Sequence, residues 1–320
     1  AVMAKILTLT LNPALDVTVS LDALRPGAVN RASAQYSHAA GKGLNVAQVL
    51  ADLGHQLTVS GFLGEDNLAP FEALMQRRGF VDGFIRVPGE TRSNIKLVEA
   101  DGQVTDINGP GPSVSAEACQ TLQEKLDQLA PGHAAVVVAG SLPRGISPQW
   151  LQALLTRLKA MGLKVAFDSS GAALEAGLRS APWLVKPNTE ELGEALGSPL
   201  HGFADQRQAA QRLLEQGIEH VVVSQGEQGV NWFSQGAVLH GLPPQVTVAS
   251  TVGAGDSLLA GMLHGLLATE AAEQTLRRAT AIAAQAVSQI GFGINDRVQL
   301  ANFERQVRIQ TPDAEQEGEQ

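Results

Sequence analysis

Ser250-Thr251-Val252-Gly253-Ala254-Gly255-Asp256-Ser257 runs straight into LLAGMLHGLL, residues 258–267. Small residues ahead of an apolar helical run let backbone N–H groups turn inward as a nest at a helix N-terminus. The aligned peptide dipoles behind such a nest favour an anion. A phosphoryl group in transfer carries charge on its equatorial oxygens, and donors placed there stabilise it. Asp256 stands at the same spot, with the chemistry to accept the proton of an attacking hydroxyl. The structural alternative is a tight turn with an Asp near the N-cap. Other phosphate-binding loops are missing. Gly41-Lys42 is followed by Gly43 and position 36 is Tyr36, so there is no G-x-x-x-x-G-K-S/T; no strand leads into G-x-G-x-x-G.

Outward from this segment, strand and helix patterns alternate. Strand-like apolar runs cover 5–11, 57–62, 134–139, 164–167, 183–185 and 220–224, the first ending at Asn12-Pro13. Helical spacing covers 44–53, 68–78, 116–129, 148–161 and 205–216. Helices are also predicted over 257–268, 273–289 and 298–307. Such alternation predicts a parallel sheet covered by helices on both faces. Segments 15–37 and 87–107 break the pattern with short polar-alternating strands, which fit a small antiparallel β flap over the sheet. Residues 1–310 thus read as one domain. The tail 311–320, TPDAEQEGEQ, is acidic without apolar anchors and is expected to be disordered.

Of 320 residues, 44% are hydrophobic and 17% charged, with net charge −9. That composition supports a large core and argues against binding to nucleic acid or an anionic membrane. The lone cysteine, Cys119, excludes an internal disulfide and a multi-cysteine zinc site, and the seven His show no metal spacing. No apolar run reaches the ~18 residues of a membrane span. The chain enters a strand pattern at once, without a signal-peptide core. A cytoplasmic protein is expected.

Several further segments, in this order, carry a resemblance. They are Thr10-Leu11-Asn12-Pro13-Ala14-Leu15-Asp16, HAAGKGLNVA at 38–47, TRSNIK at 91–96 and Gly140-Ser141-Leu142-Pro143. Phe167-Asp168-Ser169-Ser170, Val185-Lys186-Pro187-Asn188-Thr189-Glu190-Glu191 and Ser250–Ser257 complete the set. From about residue 7 to 300 the chain resembles the PfkB carbohydrate kinases, whose fold is ribokinase-like.

The resemblance implies roles. Asp256 would be the catalytic base, with Gly253, Ala254 and Gly255 as the anion hole. Asp16 would accept hydrogen bonds from sugar hydroxyls, Gly41 and Gly43 would let backbone approach the sugar, and Asn45 and Ser141 would bind it. Arg92 and Lys96, alternating on one strand face, would meet a substrate phosphate, with Lys42 adding charge and Arg31 a weaker candidate; a surface ion pair is the alternative. Lys186 would contact the ATP phosphates. Asn188 and Glu191 would help place Mg²⁺ through water, or form a capping box, or both. Ser224, Gly226, Gly229, Ser250, Thr251 and Val252 complete the nucleotide side.

The implied reaction is ATP-dependent phosphorylation of fructose 1-phosphate at its 6-hydroxyl. HAAGKGLNVA and TRSNIK favour that substrate over fructose 6-phosphate or tagatose 6-phosphate. A silent sugar-phosphate sensor is the alternative from another class, and an intact Gly-Ala-Gly-Asp argues against it. Open flap edges allow a homodimer.

Overall fold

The computed structural model describes residues 3–312. Most of the predicted tail, 313–320, lies outside the described residues. The chain begins with β1 (Lys5–Thr10), β2 (Ala14–Leu21), β3 (Ala34–Ala40), α1 (Lys42–Asp52) and β4 (Gln56–Gly64). Next come α2 (Ala69–Arg78), β5 (Val81–Asp82), β6 (Ile85–Val87), β7 (Arg92–Glu99), β8 (Val104–Asn108) and α3 (Ala116–Leu129). The middle carries β9 (Ala135–Ala139), α4 (Pro148–Ala160), β10 (Lys164–Asp168), α5 (Gly171–Leu178) and β11 (Leu184–Val185). Then follow α6 (Thr189–Leu196), α7 (Phe203–Glu215), β12 (His220–Ser224), β13 (Val230–Ser234) and β14 (Ala237–Leu242). The chain closes with α8 (Ala254–Leu267), α9 (Ala272–Val287), α10 (Arg297–Gln306) and β15 (Arg308–Gln310).

The large sheet has the order β15-β14-β13-β12-β11-β10-β9-β1-β4-β5, with β6 also on β4. From β12 to β5 every ladder is parallel. A strand buried on both faces must be apolar throughout, and β9, Ala-Val-Val-Val-Ala, is buried at every position. Its Ala135, Val137 and Ala139 join the core under α1, α2, α8 and α9, while Val136 and Val138 join the core under α3 to α7. Two helical layers therefore sandwich the sheet, as expected. The described helices include none long and apolar enough to cross a membrane.

Two features differ from the sequence reading. The edge strands β13, β14 and β15 pair antiparallel, through a two-residue turn at Gln235-Gly236 where Gly236 has φ 72°. Helices α5 and α6 fill segments that carried no predicted helix body.

The flap is a separate four-stranded sheet in the order β3-β2-β7-β8. Its outer ladders are antiparallel as expected, and its central ladder, β2 with β7, is parallel. Both central strands rise from the same edge of the large sheet, β2 after β1 and β7 after β6, and so run the same way.

The chain turns to one side of β1 to make β4 and to the other to make β9. Such a switch point opens a crevice at the carboxyl ends of the strands. Asn12, beyond β1, spans it by donating its side-chain N–H to Ser141 Oγ beyond β9, at 3.0 Å.

Candidate active site

Gly253, the residue before helix α8, is its N-cap, with φ 86° and no side-chain hydrogen bond to give. Glycine adopts that left-handed backbone without steric cost, and the first-turn N–H groups stay uncapped by side chains. Ser250 tightens the approach by accepting the Val252 N–H on its Oγ at 3.1 Å, with Thr251 exposed beside it. A Cβ on Gly255 would lie 2.9 Å from Lys186 Nζ, so the nest and that ammonium are immediate neighbours. Lys186 follows β11 and is 5% exposed.

Asp256 sits in the first turn of α8, 4% exposed. Helix α1 packs along α8 and delivers Asn45, whose Nδ2 donates to Asp256 Oδ2 at 3.0 Å. That packing has a demand of its own. A Cβ at Gly43 would run into Thr10 Oγ1 and the Leu9 carbonyl oxygen, so α1 reaches β1 only with glycine there. The other carboxylate oxygen, Asp256 Oδ1, is buried and accepts no hydrogen bond among the described residues. Its nearest cation is Lys42 Nζ, at 3.8 Å.

Asp168, at the carboxyl end of β10, completes the cluster. Its Oδ2 lies 3.5 Å from Lys42 Nζ and 3.7 Å from Lys186 Nζ. Asp168 is the main reason that the Lys42 ammonium is held above its usual range, against burial; Asp256 and Glu191 add to it. Burial pushes the Asp256 carboxyl above the usual carboxylate range; Lys42 pulls it back and Asp168 pushes the same way as burial. A carboxylate whose pKa burial raises, with one oxygen oriented by Asn45 and the other without a hydrogen bond, is suited to general-base work.

A model of the pfkB family carbohydrate kinases matches residues 9–297. This chain belongs to the pfkB family. It is 47% identical over 305 residues to a 1-phosphofructokinase of Vibrio cholerae, covering 95% of this chain and 96% of that protein. A 1-phosphofructokinase of Escherichia coli K12 is 46% identical over 307 residues, with 96% and 98% covered. Among solved structures, phosphofructokinase-2 from Escherichia coli in complex with potassium superposes with a TM-score of 0.88 at 30% identity. That match covers 95% of this chain and 99% of the other.

Several of the residues that the pfkB resemblance implies meet at the crevice. Gly253, Ala254, Gly255, Asp256, Lys42, Asn45 and Lys186 surround one point. Asn188 and Glu191 form a complete capping box on α6, with Glu191 N–H to Asn188 Oδ1 at 2.7 Å and Asn188 N–H to Glu191 Oε1 at 2.9 Å. The cap does not remove Glu191 from the cluster, since its charge is felt at Lys42. Ser224 pairs with Asn188 across an isolated bridge, and Gly226 and Gly229 form the tight turn beyond it, closed by Gln225 N–H to Gly229 O at 2.9 Å.

On the flap, Arg92 shares the base row with Ala14 and with Ala40, the residue just before Gly41. Its guanidinium donates to the Asn12 and Pro13 carbonyls. Asp16 is raised by burial and pulled down by Lys96, Arg92 and His38. Two placements depart from expectation. Lys96 is held at 2.9 Å by Asp106, its cross-strand partner, so the ion-pair alternative holds for it in this state. Lys42, the first residue of α1, lies against Asp168 and Asp256 rather than with the flap cations. Arg31 is exposed on the β2–β3 connection.

Asp168 received no role from the sequence. The signal was there in its position, a carboxylate following the apolar Val165-Ala166-Phe167 at the carboxyl edge of a parallel strand. No group of three or more His, Cys, Asp or Glu among the described residues could hold a metal by itself. The carboxylates Asp168 and Glu191, both felt at Lys42, are oxygen ligands of the kind that suit a hard cation carried with nucleotide phosphates and its own waters.

Proposed function

We propose that this chain transfers the γ-phosphoryl group of ATP to the 6-hydroxyl of D-fructose 1-phosphate, giving fructose 1,6-bisphosphate and ADP. The carrying observation is Asp256: buried, one oxygen fixed by Asn45, the other open beside an uncapped helix start. The substrate choice rests on near full-length relatives at 46–47% identity, named 1-phosphofructokinases.

Asp256 Oδ1 takes the proton of the primary hydroxyl as its oxygen attacks phosphorus. The bond from the γ-phosphorus to the β–γ bridging oxygen breaks, and ADP leaves with the electron pair. The N–H groups of Gly253, Ala254 and Gly255, with Lys42 and Lys186, stabilise charge on the equatorial oxygens. Lys42 remains an ammonium because Asp168 holds its proton on. Asp16, Asn45, Gly41, Gly43 and Ser141 hold the sugar, and Arg92 anchors its phosphate, joined by Lys96 when it leaves Asp106. Ser224, Gly226, Gly229, Ser250, Thr251 and Val252 border the nucleotide. Mg²⁺ entering with ATP would neutralise phosphate charge, held through water by Asn188 and Glu191.

Residues 1–310 act as one kinase unit in this proposal, in the cytoplasm where its substrates are. The flap face opposite Asp16 carries Leu15, Val17, Val19, Ile95, Leu97 and Ile107, none fully buried. A second copy of the chain is the partner proposed for it. The reaction is tested by ADP release with fructose 1-phosphate, fructose 6-phosphate and tagatose 6-phosphate. Fructose 1-phosphate should lead by about 10² or more in kcat/KM; equal or reversed preference would refute the substrate.

A further inference from the structure

Asn94 lies opposite Asp16 in the parallel ladder of β2 and β7, and opposite Asn108 on β8. His38 of β3 also pairs with Asp16, so one polar row crosses the flap. The row nearer the large sheet holds Arg92, and the row beyond holds Lys96 and Asp106. Residues two apart on a strand share a face, so Asn94 stands between the two phosphate-attracting cations.

Asn94 Oδ1 is buried and accepts no hydrogen bond among the described residues. Arg92 donates to the Asn12 and Pro13 carbonyls and Lys96 to Asp106, and neither Asn108 nor His38, its neighbours in the row, donates to it. Asp16 and Asp106, when ionised, only accept. A buried acceptor without a donor is costly until one arrives, and a sugar hydroxyl is a donor of the right kind. An amide also offers two N–H groups, so it reads a hydroxyl that both gives and takes. Being neutral, it does this without repelling a phosphate.

We propose that Asn94 is a specificity-determining residue. Its amide binds a ring hydroxyl of the sugar phosphate beside the one held by Asp16, and so fixes which primary hydroxyl faces Asp256. The inference rests on the fructose 1-phosphate reading above.

The test compares wild type with Asn94→Ala and Asn94→Ser, in KM and kcat for fructose 1-phosphate, fructose 6-phosphate and ATP. Thermal shifts are measured with and without sugar phosphate. Asn94→Ala should raise KM for fructose 1-phosphate about 10-fold or more and shrink its lead over fructose 6-phosphate. KM for ATP should stay within about twofold, and the sugar-phosphate thermal shift should diminish while the ligand-free Tm holds. Asn94→Ser, which keeps a small polar group, should fall between. An unchanged sugar KM and substrate ratio in both variants overturns the proposal, as does a lowered ligand-free Tm with the ratio intact. A wild type inactive on fructose 1-phosphate would instead refute the proposed reaction.

Discussion

Asn45 donates its side-chain amide to Asp256 Oδ2 at 3.0 Å across 211 residues of chain. In the proposed mechanism the bond leaves Oδ1 as the atom that would take the proton. Asn45→Ala removes a hydrogen bond to a charged acceptor and should lower kcat about 10- to 100-fold. Steady-state kinetics check this, with the pH profile as a second readout. Asn45 pulls the Asp256 carboxyl down, so its removal should move the acid limb of kcat/KM to higher pH.

Asp168 faces Lys42 at 3.5 Å and Lys186 at 3.7 Å. Asp168→Asn should lower kcat/KM with both substrates, by about 10-fold or more, because it frees two cations at once. It also removes the main cause of the raised Lys42 ammonium. The alkaline limb of the pH–rate profile should therefore move to lower pH. A profile unchanged at both limbs would count against this role.

A second buried pair bears on stability. The Ala4 N–H donates into His55 Nδ1 at 3.1 Å, so His55 carries its proton on Nε2 and donates it to His264 Nδ1, 2.7 Å away. His264 lies on α8, two turns beyond Asp256. Burial, with the neighbouring imidazole, lowers His55 from 6.5 to about 4, and burial lowers His264 too. Between those values the unfolded chain binds the proton and the folded chain does not. Stability should thus be complete above pH 6.5 and decline as pH falls toward 4. Denaturant unfolding at several pH values checks this, and a His55→Phe/His264→Leu variant should flatten the slope.

The large sheet was legible because its central strands are mostly apolar, β9 at every position, as strands covered on both faces tend to be. The edge hairpin was not. Gln235-Gly236 is a two-residue turn, yet the flanking strands sit beyond a clear βα rhythm and resemble loop. Helix α5 contains Gly171 and Gly177, poor helix formers; Gly177 is there because a Cβ would collide with the Phe167 ring. Tertiary packing, invisible in local propensity, decides that helix. At the site, the Gly-Ala-Gly-Asp segment exposed the helix start it makes, since small residues ahead of an apolar helical run suffice to read one. Asp168 belongs to no spacing pattern, because its partners come from α1 and from the residue after β11. The ion pair that holds Lys96 was equally hidden, since β7–β8 register sets it.

Turnover of Asp256→Asn with ATP and fructose 1-phosphate tests the central claim most directly. The variant is near isosteric, keeps a hydrogen-bond acceptor for Asn45 and loses the basic oxygen. Wild type should form fructose 1,6-bisphosphate, and the variant should do so with kcat lower by roughly 10² to 10⁴ while still binding ATP. Turnover at the wild-type rate would contradict the account.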